Sequence, residues 1–175
     1  LDALCHALEG YFAARATPLT DSIAVQAVRR TASALLEIAE KYPEGGETVP
    51  AALRDELYTG AILAGYVLND TGTCFPHAMG YILTEDFHLP HGYACAWFLP
   101  DCVEQARRHL PMKVQQLGVR LDKLSEFVAL CRKGPLFAFV SDVQFLPIDL
   151  MVCIGKSNRS NDIRFLERIR HILKN

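Results

Sequence analysis

Residues 74–100 constrain the chain more than any other stretch. They are mostly apolar and are interrupted by Pro76, Pro90 and Pro100, yet they hold His77, His88 and His91, three of the six histidines. The composition around His77 reads as a short apolar helix. His91 follows Leu89-Pro90 and precedes Gly92, where a loop at 84–92 ends and a second apolar helix begins. Two imidazoles at opposite ends of one loop can fold back to a common point, and neutral imidazole is the commonest metal ligand. Ordinary packing or solvation of both rings accounts for the same pattern.

The first residues sharpen the choice. Asp2 and His6 are four apart in Leu1-Asp2-Ala3-Leu4-Cys5-His6-Ala7-Leu8, so in a helix they share a face, with Cβ atoms roughly 5–6 Å apart. A carboxylate and an imidazole among such apolar neighbours need a partner if they are buried. A divalent cation is one such partner, and a solvated Asp–His pair is the alternative.

The rest of the chain reads as helices. The first runs from Leu1 to about Arg15 and breaks at Thr17-Pro18-Leu19. Thr20 or Asp21 caps a second, reaching Tyr42, with Ile23, Val25, Val28, Leu35, Leu36 and Ile38 as its apolar face. Pro43-Glu44-Gly45-Gly46 ends it and is not a phosphate loop, because no strand precedes it and no Gly-Lys-Ser/Thr follows. A third helix opens at Pro50 and reaches about residue 68, and its small residues Gly60, Ala61, Ala64 and Gly65 suit close helix packing. Pro100 kinks a helix that continues to His109, a solvated helix end. Helices at 112–119 and 121–133 meet near Gly118, 136–151 is ambiguous between strand and helix, and Asn161 or Asp162 caps the last helix. No strand–helix alternation appears, so the class is all-α, a helical bundle-like domain.

Composition narrows the functions. A net charge of −2 provides no basic face for nucleic acid, and no apolar run is long enough to span a membrane. Six irregularly spaced cysteines without a Cys-x-x-Cys pair, in a chain that is 50% hydrophobic, fit reduced, buried thiols of a cytoplasmic protein.

The run Asp-Ala-Leu-Cys-His-Ala-Leu-Glu-Gly-Tyr at 2–11, then His77 fourteen residues before His91 in Leu-Pro-His-Gly-Tyr-Ala-Cys-Ala-Trp-Phe-Leu-Pro, resembles the iron-containing (group III) alcohol dehydrogenases of the dehydroquinate synthase-like superfamily. The resemblance covers most of residues 1–100 and returns near Ser157-Asn158-Arg159. It implies that residues 1–175 are the C-terminal, helical metal-binding domain of a chain about twice as long, without the N-terminal nucleotide-binding domain. It implies the ligand set Asp2, His6, His77 and His91. One carboxylate and three imidazoles suit Fe²⁺ or Zn²⁺ and not Mg²⁺ or Ca²⁺.

By the same resemblance the ion polarises the oxygen of a small alcohol or aldehyde while hydride passes to or from NAD(P), which the missing domain would bind. This chain alone is then inactive, and the whole enzyme is a homo-oligomer with no nucleic-acid or membrane partner. Tyr81 stands where many family members carry a second histidine near the nicotinamide, which makes it a candidate for proton transfer. A packing role remains its alternative. His88 has no ligand counterpart, and Cys153 falls where the match is too loose to assign. A glycerol dehydrogenase-like or dehydroquinate synthase-like enzyme half, and a non-catalytic helical module, stay open. Removal of a partner domain should leave apolar surface near His77 and His91.

Overall fold

A computed structural model describes residues 1–42, 49–119 and 123. Seven helices make up the described residues: α1 (Asp2–Phe12), α2 (Pro18–Lys41), α3 (Ala51–Thr71), α4 (Phe75–Phe87), α5 (His91–Trp97), α6 (Leu99–His109) and α7 (Pro111–Leu117). There is no strand among them, as the all-α class requires. The helices expected at 121–133 and near the C-terminus, the ambiguous stretch 136–151, the Gly45-Gly46 turn, Cys153 and Ser157-Asn158-Arg159 lie outside the described residues. No described helix is long and apolar enough to cross a membrane.

Helix α1 lies at the centre of the described residues. Every residue of α1 from Leu4 to Tyr11 except His6 is buried, and α1 touches α2, α3, α4, α5 and α6. Leu4, Leu8 and Tyr11 are almost fully removed from solvent, each worth about 1.5–3 kcal/mol in burial. Gly10 lets α3 approach: a Cβ there would overlap the Val67 side chain and lie 2.6 Å from Thr71 Oγ1.

Helices α2 and α3 pack side by side. Arg30 grips both carboxylate oxygens of Glu56 at 2.7 Å, and the backbone at Gly60 runs against Thr31 and Ala27. Gly60 and Ala64 therefore do the close packing expected of the small-residue run, whereas Gly65 is exposed with nothing near it. The buried side of α2 is not its large aliphatic residues but Ala24, Ala27, Val28, Thr31, Ala32 and Ala34; Ile23, Val25, Leu35, Leu36 and Ile38 are only partly covered. Close approach to α3 favours small side chains at the contact.

Three boundaries differ from expectation. The cap of α2 is Thr17, not Thr20 or Asp21: Thr17 Oγ1 accepts from Thr20 N at 3.2 Å, Thr17 N donates to Thr20 Oγ1 at 2.8 Å, and Pro18 occupies the first turn, where its missing N–H costs nothing. Residues 84–92 are not a nine-residue loop. Nothing between Thr84 and Phe87 breaks a helix, so α4 continues to Phe87, and only His88, Leu89 and Pro90 link it to α5. His88 makes the turn in the left-handed region at φ 56°. The helix around Pro100 divides at Phe98 into α5 and α6, with Pro100 within the first turn of α6.

Helix α7 is held to the centre by charge. Lys113 Nζ donates to Tyr11 O at 2.8 Å and to Asp21 at 2.9 Å, while Arg29 Nε donates to Leu117 O at 2.8 Å and so satisfies a C-terminal carbonyl of α7.

Candidate metal centre

The first turns of α1, α4 and α5 meet at one place. Asp2 and His6 come from α1, His77 from α4, and His91 opens α5. Two glycines allow the helices this close. A Cβ on Gly92 would lie 3.1 Å from Asp2 N and 3.2 Å from Asp2 Cβ, and one on Gly80 would lie 2.7 Å from Cys95 Sγ and 2.9 Å from Cys95 N. The first draws α5 onto α1, the second α4 onto α5.

The polar atoms converge. Asp2 Oδ1 is 3.3 Å from His77 Nε2 and 3.9 Å from His91 Nε2, and Asp2 Oδ2 is 3.7 Å from His6 Nδ1. The His6 and His77 rings stack with centroids 4.3 Å apart, and His77 meets His91 edge-on at 5.4 Å. All four residues of the expected ligand set thus lie together. One donor atom from each of Asp2, His77, His91 and Cys95 falls within 4.8 Å of the others, a compact group that could hold a cation. His6 stands just beside that group, stacked flat on His77.

Two atoms at the centre are conspicuous. Asp2 Oδ1 and His77 Nε2 are both buried and have no hydrogen-bond partner, although they face each other. Orphaned buried polar atoms cost free energy, and a divalent cation accepts lone pairs from both. The donor set, an oxygen with imidazoles and a nearby sulfur, is one that zinc and ferrous ions favour. The residues present therefore fit a transition-metal ion.

Glu9, which sequence reasoning passed over, supports the site from behind. It is fully buried; its Oε1 lies 2.6 Å from His77 Nδ1, and its Oε2 accepts from Cys74 N at 2.7 Å and from His77 N at 3.4 Å. Tying Nδ1 to a carboxylate directs Nε2 into the site, the arrangement that orients metal-binding histidines. The signal was present: Glu9 follows His6 by three positions, on the same helix face. His91 Nδ1 is similarly engaged, 3.2 Å from Thr84 Oγ1.

The electrostatics follow from burial and crowding. His77 is pushed up to about 12 in the metal-free protein: burial pulls it down, but Asp2, Cys95 and Glu9 together outweigh that. His6 is lowered by burial and then by His77. Asp2 is held below the usual carboxylate value mainly by His77, against its own desolvation. The Cys95 thiol is raised by burial, with His77 acting in the opposite direction.

Tyr81 stacks on His91, ring centroids 5.1 Å apart, and stays 41% exposed. With Tyr93 at 36%, it is the exposed aromatic surface on the helices that carry His77 and His91; His77 itself is covered. His88 is absent from the cluster, in the α4–α5 turn, and His109 ends α6.

Comparison with known proteins gives a consistent picture. A model of the Fe-containing alcohol dehydrogenase family, C-terminal, matches residues 1–132. Probable alcohol dehydrogenase EutG of Escherichia coli is 32% identical over 118 residues, covering 67% of this chain and 28% of that protein. Long-chain-alcohol dehydrogenase 1 of Geobacillus thermodenitrificans is 32% identical over 148 residues, 82% of this chain and 36% of that protein. The chain thus spans about a third or less of these curated relatives. Among solved structures, sulfoacetaldehyde reductase from Bifidobacterium kashiwanohense in complex with NAD+ superposes with a TM-score of 0.66 at 19% identity, over 98% of this chain and 48% of that one. A 1,3-propanediol oxidoreductase superposes at 0.64 and 22% identity, over 98% and 50%. At these identities the likeness establishes the helical fold.

Proposed function

The chain belongs to the Fe-containing alcohol dehydrogenase family, whose C-terminal part it matches over residues 1–132, and from that premise we propose that it is the metal- and substrate-binding half of an NAD(P)-dependent alcohol dehydrogenase. In this reading residues 1–175 form one helical domain, and Asp2, His6, His77 and His91 hold one Fe²⁺ or Zn²⁺. The observation that carries it is the facing pair of buried atoms, Asp2 Oδ1 and His77 Nε2, 3.3 Å apart beside the rings of His6 and His91 and without a hydrogen bond to any third group.

The ion, when bound, would supply Lewis-acid polarisation of an alcohol or aldehyde oxygen. The chain's residues do the rest. Glu9 keeps the proton on His77 Nδ1 and leaves Nε2 free to coordinate. Thr84 orients His91 through Nδ1. Leu4, Cys5 and Leu8, fully buried in the core on the same helix, anchor the α1 segment that carries Asp2 and His6. Tyr81 is assigned the substrate's hydroxyl proton in this reading, supported by its exposure and its stacking on His91.

In this reading the nicotinamide is bound by the N-terminal part of the longer relatives, which the match does not cover. A small alcohol or aldehyde substrate, homo-oligomeric assembly and a cytoplasmic location complete the reading; the names of relatives such as a 1,3-propanediol dehydrogenase of Citrobacter freundii support a short alcohol or diol.

The test is reconstitution. This chain alone, whatever metal it carries, should reduce no NAD(P) with any alcohol. Joined to a nicotinamide-binding domain and loaded with Fe²⁺ or Zn²⁺, it should oxidise a short primary alcohol or diol. Tyr81→Phe should lower the rate 100-fold or more with metal retained if the hydroxyl moves the proton, and leave it unchanged if the ring only packs. A His77→Ala variant that kept both metal and rate would overturn the assignment.

A further inference from the structure

Helix α3 carries three of the eight large hydrophobic side chains that stand exposed among the described residues: Tyr58 at 70%, Ile62 at 46% and Tyr66 at 64%. They are spaced by four, so they form one ridge along the helix. Gly60, Ala64, Val67 and Thr71 face the core from the opposite side, where α3 packs on α1 and α2. Apolar residues scattered singly over a surface are ordinary, but a contiguous row marks an interaction face. Tyrosine is also among the residues that interfaces favour.

The ridge ends in opposite charges. Arg54 and Asp70 continue the same four-residue spacing at its two ends, and both are exposed. Among the described residues neither makes an ion pair, and Asp70 accepts a hydrogen bond from Asn69 Nδ2 at 3.2 Å. The row Arg54–Tyr58–Ile62–Tyr66–Asp70 therefore complements itself when reversed. With a two-fold axis at Ile62, Tyr58 meets Tyr66 of a second copy and Arg54 reaches its Asp70. Asp55 and Asn69, also exposed and equally far from Ile62 in the helix, face one another. A parallel pairing would instead set Asp55 on Asp55 and Asp70 on Asp70. A Cβ on Gly65 would meet nothing within 4 Å, so that part of the helix has room for the side chains of a second one.

We propose that the exposed face of α3 is where two copies of this chain associate, antiparallel about a two-fold axis at Ile62. The inference gives a surface to the homo-oligomeric assembly of the proposed function and rests on that part of it alone, since the ridge carries no residue of the metal centre. In an isologous contact every pair away from the axis occurs twice, so the Tyr58–Tyr66 and Arg54–Asp70 contacts each count double. The row from Arg54 to Asp70 is about 24 Å long. One helix face of that length falls short of the roughly 1,600 Å² of a standard interface, so the dimer is weak and dissociates in the micromolar range. The ion pairs at the rim fix the antiparallel orientation more than they add strength.

Sedimentation equilibrium of the full 175-residue chain over a concentration series tests this. The parent should populate monomer and dimer. Ile62→Glu sets two carboxylates against each other at the axis and should raise the dissociation constant about 100-fold or more. Arg54→Asp should raise it about tenfold, and adding Asp70→Arg should recover most of that loss, because the reversed pair is as complementary as the original. Leu19→Glu, at a side chain 69% exposed on α2, should leave it unchanged. A parent chain that stays monomeric up to about 100 μM overturns the proposal, and homo-oligomerisation of this chain with it, a result that needs no variant to fold. A dimer that persists in Ile62→Glu, with the parent's helical circular dichroism, overturns the proposal and leaves the homo-oligomer standing on another surface. A charge-swapped chain no tighter than Arg54→Asp, or a loss in Leu19→Glu equal to that in Ile62→Glu, overturns it in the same way.

Discussion

Glu9 Oε1 lies 2.6 Å from His77 Nδ1, with both side chains removed from solvent. The pair joins α1 to α4 and faces His77 Nε2 toward Asp2. The same carboxylate accepts from Cys74 N at the start of α4, where a negative charge is favoured by the helix dipole.

Replacing Glu9 tests that role. Glu9→Gln keeps the shape and loses the charge, and metal affinity should fall about 10–100-fold, as for other outer-shell partners of ligating histidines. Glu9→Ala should also destabilise the metal-free fold by about 3–5 kcal/mol, because it leaves His77 and two backbone N–H groups without their acceptor. Chelator competition reads the first and denaturant unfolding the second. Unchanged affinity in Glu9→Gln would remove Glu9 from the account.

The close approach of helices at the centre predicts a second effect. Gly92→Ala places a Cβ against the backbone and Cβ of Asp2, and a clash of that kind typically costs about 1–3 kcal/mol. Because it pushes α5 from α1, it should weaken metal binding more than Gly65→Ala, which meets open space. Equal metal affinity in the two variants would show that this contact does not set the site's geometry.

His88 provides a control. It sits at φ 56° and accepts the cost of a left-handed conformation for a side chain, so His88→Gly should raise stability by a few tenths to about 1 kcal/mol. Metal content should not change. Loss of metal in that variant would make His88 part of the centre.

The pH dependence of the metal-free chain has two arms. His77 is raised to about 12 in the fold, so its proton's contribution is fully present below its unfolded value near 6.5 and is lost as pH rises toward 12. Asp2 and His6 are both lowered. Their contributions are present above their unfolded values, near 3.8 and 6.5, and are lost as pH falls through the lower folded ones. Stability without metal should therefore decline from neutral pH in both directions. With metal bound, the alkaline decline should disappear, because the ion stands where the proton was. Thermal unfolding between pH 4 and 10, with and without zinc, reads both; an alkaline decline equally steep in both forms would contradict this.

Much of this centre was legible before the fold was seen, because Asp2 and His6 interrupt an otherwise apolar helix and His77 and His91 flank a turn. Polar residues in an apolar background raised the possibility, and the family resemblance chose the set; of the four only His77 is buried. Glu9 was passed over because a glutamate in a helix is ordinarily solvated, although its place three residues after His6 on the same face was a signal. Cys95 was hidden for the opposite reason: a buried cysteine is ordinarily inert, and only the approach of α4 at Gly80 holds its sulfur beside His91. The cap of α2 was misplaced because Pro18 reads as a breaker when it stands in a first turn. The length of α4 was missed because Leu89-Pro90 and Gly92 around His91 suggested a loop, and the helix-compatible residues 84–87 were counted with it.

The most direct measurement is the metal content of the full chain, purified without chelator and again after anaerobic reconstitution with Fe²⁺ or Zn²⁺, beside that of His77→Ala. The account predicts about one transition-metal ion per chain, and retention at least tenfold weaker in His77→Ala. A parent chain that holds no iron, zinc, nickel or cobalt after reconstitution, or a His77→Ala chain that holds as much as the parent, would contradict it.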